Sequence, residues 1–200
     1  MNKPKGIDIS HYQGAVNWAK VTQNIEFVFI KATEGGTYID PKFMANWAGA
    51  QTVGLPVGAY HFFDPGQDAG LQAKHFCELL DRVTGRRLPP MLDVETTGDV
   101  SQAMLTLRIQ TWLSAVEKHT GQKPLLYTYS SFATVQRLAK KFSAYKLWIA
   151  QYGATTPNLC GWPSWEFWQY SSKGKVPGIT GNVDLDYFTG TIAELHSLLA

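Results

Sequence analysis

Eight short apolar segments, separated by longer stretches with helical spacing, constrain the fold of this chain more than any other feature. Most of them are rich in β-branched and aromatic residues, which is typical of β-strands. The predicted strands are residues 6–10, 27–33, 56–63, 89–95, 125–129, 147–152, 165–170 and 183–188. Apolar residues three or four positions apart predict helices over residues 41–53, 69–83, 102–118, 131–141 and 191–199.

Strands that alternate with helices form parallel βαβ units, and eight of them favour a closed barrel. The pattern changes late in the chain, because residues 153–164 and 171–181 are rich in glycine and proline. Neither stretch holds a full helix, so we expect loops there, which would allow antiparallel pairing. The sequence therefore predicts an α/β fold in one domain, residues 1–200: a modified, irregular TIM-like β/α barrel with eight strands and fewer than eight helices.

The composition argues against two classes of function. With 17% charged residues and a formal net charge of +2, the chain lacks the clustered basic face that binding of nucleic acid requires. No apolar run reaches the length of about 18 residues that a transmembrane helix needs, so we predict no membrane insertion. The 44% of apolar residues is ample for a sizeable core.

The N-terminal residues 1–6 contain no apolar signal segment. We therefore expect either a protein made in the cytosol and released by another route, or a secreted protein whose signal peptide is missing from this sequence. Cys77 and Cys160 lack the spacing of a metal or redox motif, so we predict two free structural thiols, with a disulfide between them left open.

Two carboxylates, Asp93 and Glu95, end the fourth predicted strand. Side chains two positions apart on a strand point to the same face, here about 6–7 Å apart. Two acids this close cannot easily both ionise, so one pKa rises while the other stays low. Cleavage of a glycosidic bond needs such a pair: a proton donor for the leaving oxygen and a carboxylate that supports the sugar cation.

Further acids come from the first and last predicted strands. In residues 6–10, alternation turns Ile7 and Ile9 towards the helices and Asp8 towards the barrel axis. In residues 183–188, Asp184 and Asp186 share one face. An inward-facing acid is costly to bury without a partner or a function. We therefore predict a cluster of acids at the barrel mouth, where strands meet the loops.

Taken in order, these segments resemble glycoside hydrolase family 25, the lysozymes that cut bacterial peptidoglycan. The resemblance covers nearly the whole chain. It is carried by GIDIS at 6–10, FIKATEG at 29–35, GAYHF at 58–62, LDVE at 92–95, YTYS at 127–130, LWIAQY at 147–152, WQY at 168–170 and VDLDYF at 183–188. One departure is Asp186, where the family usually has Asn. The extra carboxylate would raise the pKa of a neighbour or reach solvent.

The resemblance implies hydrolysis of the β-1,4 bond between N-acetylmuramic acid and N-acetylglucosamine, without a cofactor. Glu95 would be the general acid that protonates the leaving oxygen, and Asp93 its assisting carboxylate. Asp8 and Asp184 would line the same cleft, set the protonation of Glu95 and contact substrate. The spacing leaves the stereochemistry open. We favour retention, because the N-acetyl group of the substrate can also serve as the nucleophile.

A glycan cleft needs aromatic faces for sugar rings beside polar groups for their hydroxyls. The predicted substrate-binding residues are Tyr60, Tyr127, Trp148, Tyr152, Glu34, Gln169 and Asp186. Core packing is the competing interpretation for each aromatic residue. Glu34 is placed to pair with Lys31 at the rim. The five histidines show no metal-binding spacing, so we predict no metal site, and His61 is typical of a satisfied core imidazole.

Two other functions remain open. A chitinase-like barrel glycosidase also ends a strand in Asp-x-Glu, but its motif has acids where this chain has Met91 and Leu88. A catalytically inactive glycan-binding module is the second, although a pure binder gains nothing from two repelling carboxylates. For a muramidase we expect a monomer that acts on peptidoglycan strands of the cell wall, as a phage endolysin, a bacterial autolysin or a secreted effector.

Overall fold

The computed structural model describes residues 3–200, which contain nine β-strands and seven α-helices joined by loops. The first two positions of the N-terminal segment discussed above lie outside the described residues. The strands are β1 (Lys5–Ile9), β2 (Phe27–Glu34), β3 (Tyr38–Ile39), β4 (Val57–Phe62), β5 (Met91–Asp93), β6 (Leu125–Tyr129), β7 (Lys146–Ala150), β8 (Phe167–Gly174) and β9 (Val183–Phe188). The helices are α1 (Trp18–Val21), α2 (Phe43–Thr52), α3 (Ala69–Leu80), α4 (Gln102–Thr120), α5 (Ser130–Val135), α6 (Ala139–Phe142) and α7 (Ile192–Ser197).

Eight of the strands close into a barrel. Their order around the ring is β1-β9-β8-β7-β6-β5-β4-β2, and β2 pairs back with β1. The ninth strand of the described residues, β3, forms a hairpin with β2 outside the ring. Within the ring, β9 runs antiparallel to both β8 and β1, and the other pairs are parallel. The predicted eight-stranded, irregular barrel is therefore confirmed, with its antiparallel pairing confined to the last strand.

The helix prediction for residues 131–141 was wrong in one respect, because the structure divides this segment into α5 and α6. The break lies at Arg137, whose φ of 51° is in the left-handed region and cannot continue a right-handed helix. The short helix α1 and a 3-10 turn, His11–Gln13, were not predicted. Both are too short to show a helical repeat of apolar residues.

Large side chains fill the inside of the barrel. Gly6 and Gly58 make room for them, because a Cβ atom there would lie 2.1 and 2.3 Å from ring atoms of Phe27 and Phe29. The phenylalanine and tryptophan rings of this inner cluster are Phe27, Phe29, Trp148, Phe167 and Phe188. Leu88, which precedes β5 at the end of the barrel where the parallel strands begin, is fully buried in the same cluster. The opposite end, at the carboxyl ends of those strands, stays open for a site.

A second apolar layer lies between the outer face of the barrel and the helices. Ile7 and Ile9 belong to this layer, which confirms the predicted alternation in β1. Cys77 is buried and Cys160 half-buried, and both are free thiols as predicted. No helix of residues 3–200 combines the length and the apolar character needed to cross a membrane.

Candidate active site

A cleft of about 270 Å³ opens at the carboxyl ends of the parallel strands. Four carboxylates line it, from β1, from the end of β5 and the loop after it, and from β9: Asp8, Asp93, Glu95 and Asp184. The structure therefore brings the predicted acids together. The rest of the lining is Ile9, Ser10, Tyr12, Gln13, Lys31, Tyr60, Phe62, Met91, Tyr127, Tyr152 and Gln169.

Asp8 and Asp184 lie directly opposite each other on the antiparallel strands β1 and β9. Residues opposed in this way have Cβ atoms within about 4.5–5.5 Å. Burial raises the pKa of Asp8 to about 8, and the negative charge of Asp184 adds to the shift. The pKa of Asp184 rises to about 6, first through burial and then through the charge of Glu95. The repulsion between them favours a proton on this pair near neutral pH.

Asp93 and Glu95 meet although they do not share a strand. β5 ends at Asp93, so the prediction that both acids stand on one strand was wrong, and Glu95 reaches the cleft from the following loop. Their carboxyls are hydrogen-bonded to each other. Asp93 is 6% exposed, whereas Glu95 is half-buried. A proton must lie between two carboxyls in contact, because two carboxylates have no hydrogen to share.

The electrostatics of the pair assign this proton to Asp93. Burial, followed by the charges of Glu95 and Asp8, raises the pKa of Asp93 well above its usual value. The pKa of Glu95 is also raised by its burial, but the hydrogen bond from Asp93 and the charge of Lys31 act against that shift. The deeper acid is thus the donor and the more accessible acid the acceptor.

Gln169 connects the aromatic wall to Asp8. Its Nε2 donates to Asp8 Oδ2 at 2.8 Å, and its Oε1 accepts from the hydroxyls of Tyr127 at 3.0 Å and Tyr152 at 2.7 Å. Gln169, which was predicted to bind substrate, thus bonds one of the cleft acids directly. Tyr60, Tyr127 and Tyr152 lie in the cleft lining as expected, the first two nearly buried and Tyr152 half exposed.

Trp148 and Asp186 do not reach the cleft. Trp148 is fully buried among the rings of Phe29, Tyr127 and Phe167. Its Nε1 donates to Asp186 Oδ1 at 3.1 Å, and Asp186 is 0% exposed. The expectation that Trp148 faces substrate is corrected by this burial, and the extra carboxylate does not reach solvent. Both residues lie one layer below the cleft acids.

Most of the acid cluster lies in a segment of the chain that matches a known protein family. The sequence model of "Glycosyl hydrolases family 25" matches residues 7–179, a span that contains three of the four cleft acids and extends from β1 to β8, the barrel strands other than β9. The chain belongs to glycosyl hydrolase family 25. The predicted family, and with it a glycoside hydrolase, is therefore confirmed.

Named relatives and solved structures agree with this membership. Lysozyme M1 of Streptomyces globisporus is 35% identical over 207 residues, which cover 97% of this chain and 70% of that protein. The uncharacterized protein YegX of Escherichia coli is 40% identical over 200 residues, or 97% of this chain and 72% of that protein. The crystal structure of a bacterial lysozyme from Streptomyces coelicolor matches with a TM-score of 0.90 at 33% identity, covering 99% and 97% of the two chains.

A second basin of this family 25 enzyme adjoins the acid cleft, and Tyr12 and Lys31 line both. Glu34 lies in this basin rather than in the cleft, and it bonds Lys31 Nζ at 2.5 Å, which confirms the predicted pair. Tyr12 is 81% exposed, and its ring centroid is 4.1 Å from that of His11. His11 is in turn held by the buried Asp40 at 2.8 Å.

Sequence reasoning missed Tyr12 because no strand or long helix carries it. Ser10 and Gln13 form a capping box around the 3-10 turn that presents this ring. The pattern Ser-x-x-Gln after β1 is the signal that would have predicted the turn. The exposed aromatic side chain between those two caps is then the natural candidate for a contact with ligand.

His61 does not take part in the site. It is fully buried between Thr33 Oγ1 at 2.7 Å and Gln72 Oε1 at 3.0 Å, which confirms the predicted core imidazole. Burial lowers its pKa to about 3, so the ring is neutral. Among residues 3–200, no group of three or more His, Cys, Asp or Glu side chains is arranged to hold a metal ion.

Proposed function

We propose that this family 25 enzyme is a muramidase, which hydrolyses the β-1,4 bond between N-acetylmuramic acid and N-acetylglucosamine in peptidoglycan. The observation that carries the proposal is the hydrogen-bonded pair of Asp93 and Glu95 in an open cleft that two further acids line. A carboxylic acid beside a carboxylate is the requirement for glycoside hydrolysis. Relatives named as lysozymes and muramidases support the choice of substrate.

Glu95 is the general acid. It is the more accessible member of the pair, so it is the one that a glycosidic oxygen can approach. A bound glycan displaces water from Glu95, and this loss of solvent raises the pKa of its carboxyl further. The proton that Asp93 holds then moves along the existing hydrogen bond to Glu95. From there it passes to the leaving oxygen as the bond breaks.

Asp93 orients the substrate. Its Oδ1 is buried and has no hydrogen-bond partner among the described residues. Because Asp93 lines the cleft, its carboxyl is placed to accept the N–H of the substrate's N-acetyl group, which brings the acetyl oxygen against the anomeric carbon. Inversion needs carboxyls about 6.5–9.5 Å apart to admit a water molecule, and two carboxyls in contact leave no such room. The pair thus supports retention of the anomeric configuration.

Asp8 and Asp184 complete the cleft, and the one negative charge that the pair carries near neutral pH stabilises positive charge that develops on the sugar ring. The glycan strand continues from the acid cleft into the second basin, across the exposed ring of Tyr12. We propose a monomer with residues 1–200 as its catalytic domain. Since its substrate lies in the bacterial cell wall, the enzyme is secreted or released from the cytoplasm of the cell that makes it.

Analysis of the reducing ends released from purified peptidoglycan tests the activity. We expect new N-acetylmuramic acid ends, first formed as the β anomer. New N-acetylglucosamine ends would contradict the assignment, and a first-formed α anomer would contradict retention.

The general acid is tested by Glu95→Gln, which keeps the shape of the side chain and removes its proton. We expect loss of wall lysis with glycan binding retained. Glu78→Gln is the matched control, because Glu78 is exposed on α3, far from the barrel mouth. Full lysis by Glu95→Gln, or equal loss in both variants, would remove Glu95 from this role.

A further inference from the structure

Asp186 is a buried carboxyl that would have too few hydrogen-bond donors around it if it were ionised. Its side chain is 0% exposed. One oxygen, Oδ1, accepts the indole N–H of Trp148 at 3.1 Å. The other oxygen, Oδ2, is buried and receives no donor from any described residue. A carboxylate can only accept, so an ionised Asp186 would leave a charged oxygen buried and unsatisfied, at a high cost in free energy.

No positive charge among the described residues offsets that cost. The groups that face Asp186 are Asp8 from β1, Asp184 from its own strand, Gln169 from β8 and Trp148 from β7. Two of these are acids and two are neutral. Lys31, the cation in the cleft lining, is bonded to Glu34. An uncharged carboxylic acid satisfies both oxygens, since its O–H is a donor.

The neighbour that can accept this hydrogen is Asp8. The carboxyls of Asp186 and Asp8 are in hydrogen-bond contact. Asp8 also accepts from Gln169 Nε2 at 2.8 Å, so donors approach its carboxyl from two sides. Gln169 is itself fixed by the hydroxyls of Tyr127 and Tyr152. Asp8 therefore stands at the end of two hydrogen-bonded chains, one through Gln169 and one through Asp186.

We propose that Asp186 is a positioning residue, a neutral carboxylic acid whose hydroxyl donates to Asp8 and fixes the orientation of that carboxyl in the cleft. The importance of this contact for catalysis rests on the proposed muramidase function. The protonation of Asp186 does not, because it follows from burial and the count of donors.

The electrostatics of the site agree with this assignment. Burial, with the charges of Asp8 and Asp184, raises the pKa of Asp186 well above its ordinary range. A proton on Asp186 reduces the negative charge next to Asp8 by one, which is how five acids share one end of a small barrel. Trp148 then has a structural purpose: its indole holds the acceptor oxygen of Asp186, so that the hydroxyl points to Asp8.

Two substitutions separate a neutral donor from an ionisable acid. Asp186→Asn keeps the size, an oxygen for Trp148 and an N–H for Asp8. We expect its kcat on peptidoglycan to stay within about threefold of the wild type. Asp186→Leu removes the donor, and the loss of one of the two hydrogen bonds that hold the buried Asp8 carboxyl predicts a fall in kcat of about tenfold with little change in KM. An Asp186→Asn variant as inactive as Asp186→Leu would overturn the proposal.

The pH dependence of activity distinguishes a hydrogen-bond donor from a residue that only supports the fold, because only the donor role predicts a shift of the alkaline limb in Asp186→Asn. In the wild type the donor to Asp8 is lost when Asp186 deprotonates at alkaline pH, whereas an amide does not titrate. We therefore expect Asp186→Asn to keep its activity to higher pH than the wild type. An alkaline limb at the same pH in both proteins would contradict the donor role.

Infrared spectroscopy tests the proton without any activity. The C=O stretch of a protonated carboxylic acid is separate from the bands of a carboxylate. The difference spectrum between wild type and Asp186→Asn at pH 6 should contain the carboxylic acid band of Asp186. A carboxylate band in its place would overturn the proposal. Because this result does not depend on substrate, failure of the proton assignment is distinguishable from failure of the muramidase assignment.

Discussion

Asp8→Asn should make the folded protein more stable at neutral pH while it weakens the enzyme. The carboxyl of Asp8 is buried beside Asp184, and its pKa in the folded state is about 8, against an ordinary value of 3.8. Folding at neutral pH must therefore either retain a proton or bury a charge, and both cost free energy. An amide of the same shape avoids that cost and still accepts the hydrogen bond from Gln169.

The magnitude and its sign follow from the two pKa values. Below pH 3.8 the group is protonated in both the folded and the unfolded state, so it has no effect on stability. Between 3.8 and about 8 the folded state binds a proton that the unfolded state releases, and stability falls as pH rises. At about 1.4 kcal/mol per pH unit, the penalty reaches about 4 kcal/mol at pH 7 and levels off above pH 8.

Urea unfolding of the wild type and Asp8→Asn, followed by tryptophan fluorescence, measures this difference. We expect Asp8→Asn to have the larger free energy of unfolding by about 4 kcal/mol at pH 7 and by less than about 1 kcal/mol at pH 4. Glu78→Gln, at an exposed position of α3, is the control, and its free energy of unfolding should stay within about 0.5 kcal/mol of the wild type. A difference that is equal at both pH values, or an Asp8→Asn variant less stable at pH 7, would refute the reasoning.

Three further outcomes are expected. Asp184→Asn removes a negative charge that raises the pKa of Asp8, so lysis should weaken and its pH optimum should move to lower pH; a profile that superimposes on the wild type would place Asp184 outside the site. Tyr12→Ala should change the free energy of unfolding by less than about 0.5 kcal/mol, because the ring is exposed, yet lower the rate of lysis through a higher KM, and Tyr12→Phe should restore it. Gly58→Ala places a methyl group 2.3 Å from the ring of Phe29 and should lower the free energy of unfolding by about 1–3 kcal/mol in a denaturant titration; an unchanged midpoint would show that the barrel interior has spare room.

Local patterns in the sequence determined the number of barrel strands and the direction in which most of the acids point. Strand side chains alternate between two faces, so apolar neighbours such as Ile7 and Ile9 are enough to turn Asp8 towards the axis. The same alternation of side chains did not predict the residue at which β5 ends. The register with β4 and β6 ends at Asp93, and the last backbone hydrogen bond to β6 is donated by Val94 N to Tyr127 O at 3.0 Å, so Glu95 approaches its partner from a loop.

Only the tertiary structure decided how deep each inward side chain lies. Asp184 and Asp186 share a face in the sequence pattern, but β9 runs antiparallel to β1. Its earlier residue is therefore opposite Asp8 near the mouth, and its later residue is opposite Gly6 further inside. The depth of Trp148 is likewise set by strand pairing, because its register places it beside Tyr127 of β6 and Phe167 of β8. Depth depends on the stagger between strands, which is a property of the closed barrel and of no single segment.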